Sequence, residues 1–247
     1  MPRTITKTVN TYKELLGLTR EGKVNQKAVE RAKSWLQDAA TDFDWYSCVL
    51  DFWEHALDQI GFEDAKIAFS GFWCQGDGAS FTATVDLDKL IAFLADTVQG
   101  KDRIEVVEGK EQFLPYVVNV IGGKATNPKY RRLLVVRDYI RDLAVERTSA
   151  HYSHERTCRL TASLNDQGHY QDTHKSSDKW RWASNTPKVR ALFNSFVEDA
   201  ENLRLRLCKA IYKMLEADYW DRISDEQLLE FAEANDYTFE ANGTREG

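Results

Sequence analysis

The chain has no unbroken apolar run of the roughly 18–20 residues that a membrane-spanning helix needs. It also has few residues that interrupt helices, with only four prolines and thirteen glycines among 247 residues. This scarcity favours a helix-rich fold. The net charge of −6 is mild, so composition alone indicates neither a polyacidic protein nor a nucleic-acid-binding protein.

Closely spaced cysteines are absent as well. The four cysteines form no Cys-x-x-Cys pair, and in a chain of this length we expect them to be free thiols in a reducing cytosol. Glycine-rich phosphate loops are also missing, because Gly76-Asp77-Gly78 is not followed by Gly-Lys-Ser/Thr and does not open a helix with dinucleotide spacing. The cysteines are Cys48, Cys74, Cys158 and Cys208.

What the chain does contain is a large supply of core residues. Hydrophobic residues make up 43% of the sequence, with seven Trp, ten Tyr and twelve Phe, which is typical of a globular protein. We predict one α+β domain over residues 1–247. The clearest break is the Gly/Pro-containing stretch near 122–128, where the domain could be subdivided.

The most distinctive stretch is 67–86, for which we predict a hairpin. Two short runs of aromatic and β-branched residues flank Gln75-Gly76-Asp77-Gly78, and Asp-Gly between such runs is typical of a tight turn. Each face of the first run carries an aromatic ring, so we expect the hairpin to be covered on both sides.

A second strand is predicted over 154–164, where residues alternate in character. With the hairpin it would form a small antiparallel sheet covered by five or six helices. One of these is a long C-terminal helix over about 187–222, which begins with Thr186-Pro187. Another is predicted over 129–147, because apolar residues recur there at helical spacing. Those apolar residues are Leu133, Val136, Ile140 and Leu143.

Charge is unevenly distributed between two regions. From Lys124 to Arg159 the sequence has nine Lys/Arg against four Asp/Glu, whereas from Phe196 to Gly247 it has thirteen Asp/Glu against six Lys/Arg. A basic helix could contact phosphates, and acidic helices could contact a basic groove on another protein. Solvated faces that partly compensate each other explain the same pattern. The candidate nucleic-acid or partner contacts are Arg131, Arg132, Arg137 and Arg141.

Two segments resemble a family of uncharacterised proteins from tailed bacteriophages. The first is Ser70 to Phe81, which matches the pattern SGFWxQGDGAxF, and the second combines IYKxLExxY from Ile211 with EANDYxF ending at Phe239. The resemblance implies a phage accessory protein made in the cytoplasm of an infected bacterium. Cys74 stands where the family pattern has serine, which argues against a required nucleophile at that position.

Three kinds of catalytic or metal chemistry were weighed. His151, His154 and Cys158 are zinc donors, but on a strand two residues three apart point to opposite faces, and no fourth ligand is evident. Cys74 or a serine beside His154 and Asp77 could form a nucleophilic set, although nothing in the spacing requires it. The Asp-x-Asp pairs lie where helix N-caps are expected. We therefore predict no metal and no cofactor.

Three functions remain open from the sequence. The first is a non-catalytic phage protein that binds and inhibits or redirects a bacterial host or defence protein, without a membrane role. The second is an enzyme or small-ligand binder with a pocket at the 71–78 turn. The third is a nucleic-acid-binding protein that uses the helix predicted at 129–147. The sequence does not indicate an oligomeric state. The pocket residues would be Trp73, Gln75, Asp77 and His154.

Overall fold

A computed structural model describes residues 8–96, 127–149, 151–165 and 187–246. It confirms an α+β protein with a long C-terminal helix. The strands are β1 (Val9–Thr11), β2 (Phe62–Ser70), β3 (Gly78–Val85), β4 (Ile140–Arg147), β5 (Cys158–Leu164) and β6 (Thr238–Glu240). The α-helices are α1 (Tyr12–Arg20), α2 (Gln26–Thr41), α3 (Ser47–Gln59), α4 (Leu87–Asp96), α5 (Pro187–Arg222) and α6 (Asp225–Ala234), with a 3₁₀-helix over Pro128–Tyr139.

The chain separates into two compact units. Unit 1 comprises residues 1–48 and 215–247, and unit 2 comprises residues 49–214. Most of the break predicted near 122–128 lies outside the described residues, so that subdivision stays a prediction. Among the described helices, none has both the length and the apolar character required to cross a membrane.

Unit 1 packs helices α1, α2 and α6 around a small apolar core, beside the two-stranded antiparallel pair β1–β6. Its helices begin at the caps that the sequence favours. Asn25 accepts a hydrogen bond from the Lys27 N–H at 2.9 Å, and Ser224 accepts one from the Gln227 N–H at 3.3 Å. The core residues are Tyr12, Leu15, Val29, Ala32, Leu36, Ala40, Leu228, Ala232 and Phe239.

The C-terminal tail, described through Glu246, packs against this core. Gly243 has a φ of +83° and is buried, and a Cβ there would overlap the carbonyl group of Ala28, so only glycine fits. Arg245 lies 4.6 Å from the ring centroid of Trp35 and 4.8 Å from that of Tyr237. These cation–π contacts hold the tail in place.

Unit 2 is built on a four-stranded antiparallel sheet in the order β2-β3-β4-β5. The hairpin pairs β2 with β3, bringing Ile67 opposite Phe81 and Ser70 opposite Gly78. Residues 78–81 of β3 are all buried, so both faces of this strand are covered, as predicted. The hairpin is longer than the predicted 67–86 because its first strand begins at Phe62.

The prediction of one α-helix over 129–147 is wrong. Residues 128–139 form a 3₁₀-helix, whose three-residue repeat buries Tyr130, Leu133 and Val136, and residues 140–147 form the central strand β4. A spacing of three residues fits both an α-helix and a 3₁₀-helix, so the apolar positions at 130, 133 and 136 do not distinguish the two types. The second half becomes a strand because β3 and β5 pair with it on both sides.

The strand predicted over 154–164 begins four residues later, at Cys158. Residues 151–157 form a loop instead, because the Thr157 hydroxyl donates to the His154 carbonyl at 2.8 Å and the Thr157 N–H donates to the same carbonyl at 2.9 Å. This local turn uses groups that a strand would offer to a neighbour.

Candidate binding surface at two neighbouring loops

The connection between β2 and β3 is a loop over 71–77, fixed by one carboxylate. The Oδ2 atom of Asp77 accepts hydrogen bonds from the backbone N–H groups of Trp73 and Cys74, each at 2.6 Å. The Asp77 N–H in turn donates to the Cys74 carbonyl at 3.0 Å. Charge-assisted hydrogen bonds of this kind hold the loop in one conformation and end β2 at Ser70 rather than at Cys74.

The loop is packed from below by aromatic rings. Phe72 stacks on Phe69 with centroids 6.0 Å apart, and its other neighbour is Tyr212 on α5 at 5.6 Å. The Tyr212 hydroxyl also donates to the Gly71 carbonyl at 3.2 Å. The loop is therefore attached both to the sheet and to the long helix.

A second loop, described over residues 148–149 and 151–157, lies directly against the first. A Cβ on Gly78 would overlap the Cβ of His154 and approach its Cα to 2.8 Å, so this contact requires glycine. The Ser70 hydroxyl is 3.3 Å from the Ser153 carbonyl, and the space above Gly76 is taken by the ring of Tyr152. Sequence analysis predicted that the turn and His154 meet, and the structure brings them together.

Arginine and histidine side chains stabilise this second loop. Arg147 donates from Nε to the Ser149 carbonyl at 2.6 Å and from Nη2 to the Tyr152 carbonyl at 3.2 Å. The Nδ1 atom of His154 accepts from the Arg156 N–H at 3.1 Å, which leaves Nε2 to carry the ring proton in the neutral form.

The side chains that remain open to solvent are mostly at the tips of the two loops. Trp73 is 67% exposed and Tyr152 is 59% exposed, two of the largest exposures of any bulky apolar side chain among the described residues. Cys74 and Gln75 are exposed beside Trp73. We call residues 71–77 and 151–156 together the two-loop surface.

The four predicted pocket residues thus lie on or beside one surface, but their roles differ. Trp73 and Gln75 face solvent, whereas Asp77 and His154 use acceptor atoms on backbone N–H groups of their own loops. This arrangement suits a rigid binding surface better than general acid–base chemistry, which needs groups free to exchange protons with a substrate.

The structure places the zinc donors considered in the sequence and the predicted basic residues as follows. Across the described ranges, no group of three or more His, Cys, Asp or Glu side chains is positioned to hold a metal ion. Arg131 and Arg132 are exposed on the 3₁₀-helix. Arg137 pairs with Asp88 at 3.3 Å and with Asp138 at 3.7 Å.

Arg141 is exposed on β4 and therefore does not lie on a helix with Arg137, as the helix predicted over 129–147 required. The two side chains instead line an open cavity of about 310 Å³, together with three carboxylates. Because acids match the arginines there, the cavity has no strong preference for a phosphate. The carboxylates belong to Asp86, Asp88 and Asp138.

Sequence analysis missed a buried polar cluster between β5 and α5. Arg204 is only 1% exposed and forms a bidentate ion pair with Glu201, with Nε–Oε2 at 2.7 Å and Nη2–Oε1 at 2.6 Å. Its Nη1 atom donates to the Glu155 carbonyl at 2.9 Å and to the sulfur of Cys158 at 3.0 Å. The sulfur of Cys208 lies 3.6 Å from the same nitrogen.

This cluster, which we call the Cys158–Arg204 cluster, also closes the edge of the sheet. Strand β5 is the last in the sheet order, and Glu201 Oε2 accepts the Leu160 N–H of β5 at 2.9 Å. A signal was available in the sequence, because Arg204 follows Ala200 and precedes Cys208 by four residues, within the apolar stripe of α5.

The electrostatics of the cluster separate its two thiols. A hydrogen bond from Cys208 and the charge of Arg204 lower the pKa of Cys158 to about 6, although burial opposes the shift. The pKa of Cys208 is raised, by its hydrogen bond to Cys158 and by burial. Burial alone would lower the pKa of Arg204, but its bonds to Glu201 and the charge on Cys158 raise it overall.

Comparison with known proteins places most of the chain in one family. Searches of curated proteins and of solved structures gave no match. A family profile described as a domain of unknown function, DUF8835, matches residues 45–225, which include the two-loop surface and the Cys158–Arg204 cluster. The chain belongs to the DUF8835 family.

Proposed function

We propose that the protein is a non-catalytic binding protein of phage origin that inhibits or redirects a protein of the bacterial host, a defence protein included, through the two-loop surface. The support comes from the exposure of residues within Ser70 to Phe81, the stretch that carries the resemblance to phage proteins. Three consecutive residues at the tip of this stretch, Trp73, Cys74 and Gln75, are exposed.

The observation that carries the proposal is the exposure of two large aromatic rings on loops that are held rigidly. Tryptophan and tyrosine are enriched among residues that dominate binding energy at protein interfaces. Because Asp77, Arg147 and Tyr212 already fix the loops, binding would cost little conformational entropy.

The two alternatives have less support. An enzyme at the turn would need Asp77 and His154 to act on a substrate, yet both have acceptor atoms engaged by backbone groups. A nucleic-acid site would use Arg131, Arg132, Arg137 and Arg141, but Arg137 is paired with carboxylates.

The test immobilises three forms of the protein on a resin and passes a bacterial lysate over each of them. The forms are wild type, a Trp73→Ala/Tyr152→Ala double variant, and Trp220→Ala. Trp220 is 42% exposed in unit 1 and serves as the matched control. The proposal expects one host protein, identified by mass spectrometry and rebound after purification, on wild type and Trp220→Ala. Loss of two anchor rings should weaken that binding by at least about 2 kcal/mol, or more than tenfold in Kd.

Two results would count against the proposal. If the double variant captures the host protein as well as wild type does, the two exposed rings of the two-loop surface do not contribute to the interaction. Retention of nucleic acid that falls steeply with salt, and that is reduced by Arg131→Ala and Arg132→Ala, would favour the nucleic-acid alternative.

A further inference from the structure

The Cys158–Arg204 cluster contains two thiols that come together from distant parts of unit 2. Cys158 is the first residue of β5 and Cys208 lies within α5, yet both sulfurs lie within 3.6 Å of one nitrogen atom of Arg204. Both thiols are buried, at 2% and 0% exposure.

We propose that Cys158 and Cys208 form a redox-active dithiol that a small hydroperoxide converts to an intramolecular disulfide. The proposal does not rest on the proposed host partner, although Arg204 also contacts the two-loop surface through the Glu155 carbonyl. It differs from the exposed Cys48 and Cys74, which lack such an environment among the described residues and are open to any thiol reagent.

Arg204 prepares one of the two sulfurs for the reaction. Its Nη1 atom donates to the Cys158 sulfur at 3.0 Å, which is the shorter of the two contacts and favours the thiolate at that position. The guanidinium cannot move away, because Glu201 holds its other two nitrogens and the Glu155 carbonyl accepts from Nη1. Arg204 is thus a positioning residue that holds the sulfurs of Cys158 and Cys208 near each other.

The chemistry balances with one hydroperoxide for each pair of thiols. The Cys158 thiolate attacks the terminal oxygen of the hydroperoxide, the O–O bond breaks, and the leaving oxygen takes a proton to give an alcohol, or water from hydrogen peroxide. The sulfur of Cys208 then attacks the resulting sulfenic acid. The S–O bond breaks, and hydroxide leaves with the proton of Cys208 as a second product, water.

Burial defines which oxidant can act. Attack on a large disulfide such as oxidised glutathione needs an exposed sulfur, whereas hydrogen peroxide is close in size to water and enters through local opening. The disulfide would connect the edge strand to the long helix and close a loop of about 50 residues, which restricts the unfolded chain.

The experiment uses the full chain with Cys48→Ser and Cys74→Ser, so that only the two buried thiols remain. After hydrogen peroxide treatment, we expect the intact mass to fall by two hydrogen atoms and a non-reducing peptide map to join the Cys158 and Cys208 peptides. The denatured product should then have no thiol that reacts with Ellman's reagent. Dithiothreitol should restore both thiols and reverse a rise in Tm.

Two further variants in the same background identify the steps. Cys208→Ser should stop the reaction at the Cys158 sulfenic acid, which dimedone labels. Arg204→Lys should slow disulfide formation severalfold while keeping the positive charge, because lysine cannot contact both sulfurs and Glu201 with one planar group.

Three outcomes would overturn the proposal: two free thiols in the denatured, peroxide-treated protein; sulfinic acid at Cys158 without a cross-link; or equal oxidation rates in the Arg204→Lys variant.

Discussion

The two-loop surface and the Cys158–Arg204 cluster are both rich in polar contacts, but they differ in which side chains remain exposed to solvent. In the cluster, Arg204 satisfies a carboxylate, a carbonyl and two sulfurs away from water. In the loops, Asp77 and Arg147 satisfy backbone groups, and the side chains of Trp73 and Tyr152 are left in solvent.

The difference separates residues that stabilise the fold from residues that are available for binding. A buried charge with several partners is costly to remove, because those partners lose compensation inside the protein. An exposed ring on a rigid loop contributes little to folding and can be removed without such a cost. Substitutions in the Cys158–Arg204 cluster should therefore lower stability, whereas substitutions of the exposed rings should weaken binding with little effect on stability.

The largest effect should follow from Arg204→Met. This change leaves the partly buried Glu201 without its ion-pair partner, so we expect chemical denaturation to show a loss of about 3–5 kcal/mol in unfolding free energy. Arg206→Met is the matched control on the same helix, because Arg206 is partly exposed and its bond to the Asn202 carbonyl lies at the surface, and this change should cost about 0.5 kcal/mol. Equal losses for the two variants would contradict the distinction.

A pH dependence of stability should come next. The pKa of Cys158 is about 6 in the folded protein, below its ordinary value of 9.0, so the unfolded chain binds more protons between these values. The unfolding free energy should therefore rise with pH from about 6 to 9, by at most ~1.4 kcal/mol per pH unit, and the gain should be lost as pH falls through 6.

The measurement is a set of denaturation curves across this range for wild type and Cys158→Ser. The serine variant should lack this component of the rise, so the difference between the two curves isolates it. A difference that stays constant from pH 6 to pH 9 would show that no thiolate is stabilised in the folded protein.

How much of this was visible in the sequence depends on how local each feature is. The long helix over 187–222 and the 67–86 hairpin are confirmed because apolar spacing, Pro187 and Asp77-Gly78 act within a few residues. The helix predicted over 129–147 is wrong because the conformation of its second half depends on pairing with β3 and β5, which are not neighbours that a local pattern reveals.

The same reasoning applies to the candidate sites. The turn and His154 were expected to meet because the hairpin and the strand after His154 were predicted to share one sheet, but β4 lies between them, and the contact is made by loops that the Asp77 carboxylate helps to shape. The polar cluster could not be assembled from sequence, since Arg204 meets Glu155 and Cys158 more than 40 residues away. Spacing shows that Arg204 lies on the apolar stripe but does not identify its partners.

An intermediate effect is expected from Gly78→Ala, which sits where the two loops meet. The added methyl group would overlap His154, and backbone atoms there cannot move as a flexible side chain would, so we expect a loss of about 1–3 kcal/mol. Gly76→Ala is the control, because its methyl group would meet the exposed ring of Tyr152 at 3.3 Å rather than backbone atoms.

Binding should respond to the Gly78 change as well. If the two loops form one rigid surface, Gly78→Ala should weaken capture of the host protein although the residue itself is buried. Undiminished capture together with a stability loss would show that Trp73 and Tyr152 do not need to be held together.

The smallest effect on stability is predicted for Trp73→Ala. Because two thirds of this side chain is already in solvent, its removal exposes little new apolar surface, and the unfolding free energy should change by no more than about 0.5 kcal/mol. Thermal denaturation alongside Phe72→Ala provides the contrast, since Phe72 stacks on Phe69 and Tyr212 and its loss should be clearly destabilising. A Trp73→Ala loss as large as that of Phe72→Ala would make Trp73 part of the loop's packing and would remove the main reason for assigning it to a partner.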